Sequence, residues 1–367
     1  MGVNIKKKAP DFVILFITMT LLSIGIVMVF SASAIISLEN RPDVYFHLRR
    51  QAFWALLGLG GMIVLSNYDY WKLKRWINPV LAVNLFLLLA VFIPGVGIEI
   101  SGARRWISVG GFTGQPSDLS KIASVLFSAA YLSRRNVNIQ KFMQGAFPVL
   151  AVMGVFFALI MAQPDLGTAV ALAGTTMVVI FVAGMPLKQI FAIGISGLPL
   201  LGYLMISEPY RLRRLLSFRD PWADPLNTGY HIIQSLYALG PGGLFGVGLG
   251  RSRQKFFYLP EPHSDFIFAI LGEELGFLGT SSVLLLFFAL FWRGFKVALM
   301  APDNFGSLLA AGITSMIGLQ TLMNIGVVTG SIPVTGINLP LISAGGSSLF
   351  ITLCSIGVLL NISKYTK

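Results

Sequence analysis

Charge is scarce in this sequence. Charged residues fill only 11% of its 367 positions, where a soluble domain carries about a quarter. No polar stretch is long enough to form a separate soluble domain, so residues 1–367 read as one integral unit. Cysteine is nearly absent as well. Cys354, the only one, lies in an apolar run, which excludes a disulfide and a cysteine-built metal site. No internal repeat stands out, so an inverted-repeat transporter has no support. The stretch GPGGLFGVGLG, 240–250, lacks the Lys-Ser/Thr of a phosphate-binding P-loop. Nucleotide binding is rejected there, and the segment reads as flexible backbone suited to close approach.

Apolar sequence is what the chain has in abundance. Hydrophobic residues make up 55%, and the mean hydropathy is +0.78. Apolar runs of membrane-crossing length recur from Phe12 to Ile362. Ten spans are predicted, at about 12–37, 52–66, 77–95, 117–133, 145–163, 166–184, 188–207, 265–292, 305–329 and 341–362. The fold class is therefore an all-α polytopic membrane protein of about ten transmembrane helices. A long extracytoplasmic loop, 208–264, separates helices seven and eight. Lys6, Lys7 and Lys8 before the first run, and Ser31-Ala32-Ser33-Ala34 within it, imitate a signal peptide. The run is too long for one, and it reads as an uncleaved first span.

Loop charge sets the orientation. With the N-terminus inside, the inner side holds fourteen cations: Lys6, Lys7, Lys8, Lys72, Lys74, Arg75, Arg134, Arg135, Lys141, Lys188, Arg293, Lys296, Lys364 and Lys367. The short outer loops hold five: Arg41, Arg49, Arg50, Arg104 and Arg105. Both termini are expected in the cytoplasm. The long outer loop adds Arg211, Arg213, Arg214, Arg219, Arg251, Arg253 and Lys255. These either meet anionic lipid headgroups or form a site for a substrate bearing phosphate, which arginine forks bind well. Within the loop, GYHIIQSLYAL, 229–239, carries one apolar face and predicts a short interfacial helix.

Candidate chemistry gathers around KFFYLPEPHSDFIFAILGEELGFLG, 255–279. Asp265 stands where the loop enters span eight, either as a helix N-cap or, with Glu261 and His263 nearby, as a catalytic or ion-binding group. A helix N-terminus favours the carboxylate, so Asp265 is expected ionised with a depressed pKa, able to act as a general base. At 100° per residue Asp265, Ala269, Gly272, Gly276 and Gly279 share one stripe. Such a stripe serves close helix packing or an isoprenoid groove. Glu273 and Glu274 lie about 12 Å deeper, as functional carboxylates or members of internal salt bridges.

Other segments supply further candidates. GQPSDLSK, 114–121, opens span four, where Asp118 and Lys121 are spaced to form an ion pair shaping the cavity. Arg104 and Arg105 either contact phosphate or anchor the interface beside Trp106. QPDLGTA, 163–169, is a tight outer turn whose Asp165 reads as structural, with a loop arginine as a candidate partner. The uncharged segment 330–350, which includes Ser347, is expected to line the same cavity.

These segments together resemble the SEDS family (shape, elongation, division and sporulation) of FtsW, RodA and SpoVE. The likeness runs through ARRWISVGGFTGQPSDLSK, QPDLGTA, the long loop into span eight, and TGINLPLISAGGSSL. The wording SRQKFFYLPEPHSDFIFAILGEELG lies closer to the division and sporulation branch. The resemblance implies a peptidoglycan glycosyltransferase polymerising lipid II, a disaccharide-pentapeptide on undecaprenyl pyrophosphate, outside the cytoplasmic membrane. It maps the family's essential aspartate onto Asp265. Its fourth-helix Glu/Lys pair falls on Asp118 and Lys121, the acid here being one methylene shorter. In the reaction so implied, Asp265 takes the proton from an acceptor hydroxyl. Arg211, Arg213, Arg214, Arg251 and Lys255, with Arg104, Arg105 and His263, are the candidates for holding substrate. A divalent cation is compatible with this chemistry, though no ligand cluster points to one. The implied partners are a class B penicillin-binding protein and membrane lipid, not nucleic acid. A lipid II flippase and a noncatalytic scaffold for a transpeptidase are the competing readings.

Overall fold

A computed structural model of the chain describes residues 7–40, 43–100, 102–109, 112–256 and 258–366. Lys6, Arg41 and Lys367 of the charge argument, and Gly110, Gly111 and Phe257 of the quoted motifs, lie outside these residues. Twelve α-helices are described. The first seven are α1 (Phe12–Asn40), α2 (Phe46–Asn67), α3 (Ile77–Ala90), α4 (Pro116–Leu132), α5 (Ala146–Ala162), α6 (Leu166–Val182) and α7 (Leu187–Ile206). The others are α8 (Pro209–Arg219), α9 (Tyr230–Leu239), α10 (Ile267–Met300), α11 (Asn304–Val328) and α12 (Gly346–Ser363). Setting aside α8 and α9, each predicted span coincides with one helix. Six helical segments among the described residues meet the length and hydropathy needed to cross a bilayer.

α11 runs through the middle and is buried along most of its length. α7 is its opposite, with no buried residue and with Phe191, Ile195 and Leu198 all exposed. An apolar helix with no fully buried residue and most of its side chains exposed suits lipid rather than water. Small residues let the helices meet where hydrophobicity alone gives them no reason to. A Cβ on Gly357 of α12 would lie 2.6 Å from the Met62 carbonyl oxygen of α2, and one on Gly58 would lie 2.5 Å from Leu353. The two ends of the chain meet. Lys8 N–H donates to the Lys364 carbonyl at 2.9 Å, Asp11 N–H donates to Ser363 Oγ at 2.9 Å, and Arg293 grips Asp11 at 2.5 Å.

Two departures from expectation matter for the site. Between α3 and α4 the chain forms a small antiparallel sheet of β1 (Gly97–Ile100), β2 (Ala103–Val109) and β3 (Phe112–Gly114), with Ile98 opposite Trp106 and Ile107 opposite Gly114. Alternation along β2 sends Arg104 and Arg105 to opposite faces. α10 is not a regular helix. Gly276 has φ 66° and ψ −163°, a backbone state open mainly to glycine. The groups freed by this break bond the glycine-rich segment: Val247 N–H to the Glu273 carbonyl (2.9 Å), Gly248 N–H to that of Glu274 (3.1 Å), and Phe277 N–H to that of Gly243 (2.8 Å). A Cβ on Gly242 or Gly246 would strike the Gly272 or Glu274 carbonyl at 2.1 Å. The predicted small-residue stripe is therefore broken at Gly276, and the space over Gly272 and Gly276 is filled by the loop's own backbone and by Leu239, not by an open isoprenoid groove.

Candidate active site

Asp265 ends the irregular segment that leads into α10, and Phe266, not Asp265, occupies the N-cap position. Its backbone is fixed. Asn324 Nδ2 of α11 donates to the Asp265 carbonyl and to that of Ile337, each at 2.8 Å. Its carboxylate accepts no hydrogen bond from any described residue, and Oδ2 faces the open side of Gly336, 3.6 Å from where a Cβ would stand. The expected depressed pKa is therefore corrected. Burial, followed by the nearby Glu261 charge, raises the Asp265 pKa from 3.8 to about 6, against the pull of Arg214 and Arg105. No capping N–H bond is present to lower it.

Close to this carboxylate, within reach of the Arg214 and Arg105 charges that act on it, lies a cavity of about 210 Å³ that Asp265 does not itself line; its walls are Arg105, Arg211 and Arg214 together with Asp165, Tyr210 and Thr335. Each arginine is held by backbone oxygen. Arg105 donates to the Gln163 and Pro164 carbonyls at 3.0 and 2.5 Å. Arg211 donates to Tyr210 Oη and to the Leu204 carbonyl, both at 2.9 Å, and Arg214 donates to the Val334 carbonyl at 3.3 Å. Tyr210 ties the group together. Its hydroxyl donates to the Pro164 carbonyl at 3.0 Å, and its ring centre lies 5.4 and 5.6 Å from the Arg211 and Arg214 guanidinium carbons. A guanidinium has five N–H donors, so each keeps donors for a ligand after these bonds. The cavity is thus a preorganised anion site beside a carboxylate without a donor.

The remaining candidate cations lie elsewhere. Arg104 pairs with Glu99 at 3.2 Å on the far face of the sheet. Arg213 is exposed and does not line the cavity. Arg251 lines a second hollow. Lys255 is corrected most clearly. It is buried, and its ammonium is 2.9 Å from Glu274 and 3.2 Å from Ser31 Oγ. His263 lies against His47 with the rings tilted by 58° and their centres 4.5 Å apart, and its Nε2 is 3.8 Å from Glu261. Burial, reinforced by Arg50, lowers its pKa against the opposing effect of Glu261, which keeps the ring neutral.

The other acids are fully engaged. Glu274 accepts from Ser31 Oγ at 2.7 Å besides Lys255, and Glu273 accepts from Ser252 Oγ at 2.5 Å and from Arg253 N–H at 2.8 Å. These two carboxylates bind the loop to the kinked helix. The predicted Asp118–Lys121 pair forms at 2.9 Å, with Lys121 also donating to Gln320 at 2.9 Å and Ser347 Oγ donating to Asp118 at 2.8 Å. Ser347 Oγ accepts from Gln115 N–H at 3.1 Å, and the Gln115 side chain donates to Asp165 at 2.7 Å. The pair therefore does not line the cavity but reaches it through Ser347, Gln115 and Asp165. Asp165 caps α6 through Thr168 N–H at 3.1 Å. Its direct partner is Gln115, not the candidate arginine. Among the described residues no three His, Cys, Asp or Glu side chains converge as metal ligands.

Sequence reasoning missed Tyr210, Gln115, Gln320, Ser31 and Asn324. A tyrosine beside an arginine cluster in an outer loop was the one local signal; the others are brought in by tertiary packing alone.

Known proteins resemble this chain over nearly its whole length. The sequence profile of the FtsW/RodA/SpoVE cell cycle proteins matches residues 12–367. Stage V sporulation protein E of Bacillus subtilis is 51% identical over 362 residues, covering 99% of each chain. A probable peptidoglycan glycosyltransferase FtsW of Geobacter sp. strain M18 is 45% identical, covering 96% of each. Among solved structures, a chain from a peptidoglycan synthase complex coordinating polymerization and crosslinking superposes with a TM-score of 0.79 at 31% identity, covering 98% of this chain and 99% of that one. The crystal structure of the rod shape determining protein RodA of Thermus thermophilus gives 0.71 at 31% identity, with 97% of each covered.

Proposed function

Because this chain belongs to the FtsW/RodA/SpoVE family of cell cycle proteins and is a multi-pass peptidoglycan glycosyltransferase, we propose that Asp265 is the general base of its reaction. The substrate on this reading is lipid II. Asp265 removes the proton from the 4-hydroxyl of the acceptor's N-acetylglucosamine. That oxygen attacks the anomeric carbon of the donor's N-acetylmuramic acid, and undecaprenyl pyrophosphate leaves. A single displacement inverts configuration, so one carboxylate suffices. Arg105, Arg211 and Arg214 hold the departing pyrophosphate and neutralise its charge.

The observation that carries this reading is the state of the Asp265 carboxylate. It has no donor among the described residues, and its pKa is raised to about 6 beside the arginine cavity. A base works best with a pKa close to the ambient pH, and at pH 7 this group is still mostly ionised. The active site lies outside the cytoplasmic membrane and both termini lie inside. The meeting of residues 8 and 364 supports an even number of crossings. A crosslinking transpeptidase of the class B penicillin-binding type is the partner that fits a polymerase whose structural neighbour works in such a complex.

Purified protein in liposomes with lipid II tests the proposal. Glycan strands from the wild type, and none from Asp265→Ala, are the expected result. Lipid translocation without polymer would make the protein a transporter. Undiminished polymerisation by Asp265→Ala would leave the base elsewhere and favour a scaffold role.

A further inference from the structure

A second charged hollow, of about 690 Å³, opens on another part of the long loop and shares no lining residue with the arginine cavity close to Asp265. Arg251 and Arg253 stand on its wall, and both are exposed. Neither has an acidic side chain within ion-pair distance among the described residues. Glu273 lies in the same wall but is not their counter-ion. Its oxygens are occupied by Ser252 Oγ and by the Arg253 and Gln254 N–H groups. Two exposed guanidiniums therefore stand in the wall without an ion-pair partner among the described residues. The side-chain oxygen of Gln254, also in this wall, is buried and accepts no hydrogen bond from a described residue. The hollow thus offers donors for an anion.

The chain around it is suited to a lipid. Leu244, Phe245 and Leu249 are 62%, 79% and 56% exposed. They ride on the glycine-rich segment that the α10 kink holds in place through Gly243, Val247 and Gly248. Apolar side chains at this exposure, next to unpaired arginines, match an anionic headgroup with a long hydrocarbon tail.

Glycosyl transfer between two lipid-linked sugars needs two pyrophosphates bound at once, one leaving and one retained. We infer that the Arg251–Arg253 hollow is a second lipid-pyrophosphate site, holding the acceptor whose pyrophosphate stays attached while the arginine cavity close to Asp265 holds the one that departs. This inference rests on the glycosyltransferase reading. The helical stretch from Ile267 to Glu273, about 9 Å at 1.5 Å per residue, separates the Asp265 end of the site from this hollow and leaves room for the sugar rings between an acceptor's hydroxyl and its own pyrophosphate.

The test is a titration of undecaprenyl pyrophosphate into phosphatidylcholine nanodiscs holding the full-length chain, read as bound equivalents by native mass spectrometry. No turnover is involved, so the result is independent of the role of Asp265. Two equivalents are expected for the wild type and for R251K/R253K, and one for R251Q/R253Q. In polymerisation, R251Q/R253Q should raise KM for lipid II about tenfold or more with kcat within about twofold, from the loss of charge-assisted contacts. Two equivalents at unchanged affinity in R251Q/R253Q would overturn the proposal, as would none, since the sites would then not be separate. Displacement of the second equivalent by equimolar phosphatidylglycerol would assign the hollow to bulk anionic lipid, and equal displacement by inorganic pyrophosphate would remove the lipid from the site. If Asp265→Asn polymerises normally while the stoichiometry holds, the proposed base fails and the second site stands.

Discussion

Three carboxylates lie along the start of one helix, and they fare differently. Glu273 and Glu274 are almost fully buried, and both are saturated with donors from the loop, from α1 and from Lys255. Asp265, eight residues earlier than Glu273, has none. A desolvated charge without a partner is costly, and Asp265, though only half-buried, shows that cost in its raised pKa. A fold that satisfies two acids so thoroughly and leaves a third bare, beside three arginines, has kept that third acid for a ligand. Depth in the membrane is therefore a weaker guide to chemistry than the state of a carboxylate's lone pairs.

Exchanging the acids breaks the comparison most sharply. Asp265→Asn should lower polymerisation by about 10²–10⁴-fold, the usual worth of a positioned base, without loss of fold. Its effect on stability should even be favourable at neutral pH. A carboxyl whose pKa rises from 3.8 to about 6 on folding holds its proton more tightly folded than unfolded, so stability falls as pH rises from about 4 to 6. Asn removes that term. Glu274→Ala should do the reverse. It leaves the Lys255 ammonium buried without a counter-charge, a loss of about 3–5 kcal/mol, seen as a large drop in Tm. Adding Lys255→Met should restore much of it. Ser347→Ala, two hydrogen bonds from Asp165, should give the smallest change, about 1 kcal/mol in stability, with polymerisation lowered less than in either acid variant.

The helices at the predicted spans were legible because a run of apolar residues is a local property, and six segments among the described residues carry the length and hydropathy of a bilayer crossing. The pairing of Asp118 with Lys121 was legible for the same reason: three residues of helix bring them together. The break at Gly276 was not, since a regular period was extended through it; the glycine pair ahead of it in the loop, Gly242 and Gly246, shows its meaning only once the two backbones are packed. The sheet that delivers Arg105 had a signal in the Gly-Gly between ISV and FTG, outweighed by the helical character of the rest. Seven loop cations looked alike along the sequence. Which ones converge depends on Tyr210, on the Pro164 carbonyl and on a serine 224 residues away from Lys255, and no spacing rule carries that information.

The account stands on Asp265 acting as an unpartnered base, and the pH dependence of kcat/KM for lipid II tests this most directly. The profile should lose about tenfold per pH unit below a midpoint close to 6, and Arg214→Gln should move that midpoint upward, because the Arg214 charge holds the Asp265 pKa down. A midpoint close to 4 in the wild type, or a rate that stays flat from pH 7 to 5, would contradict it.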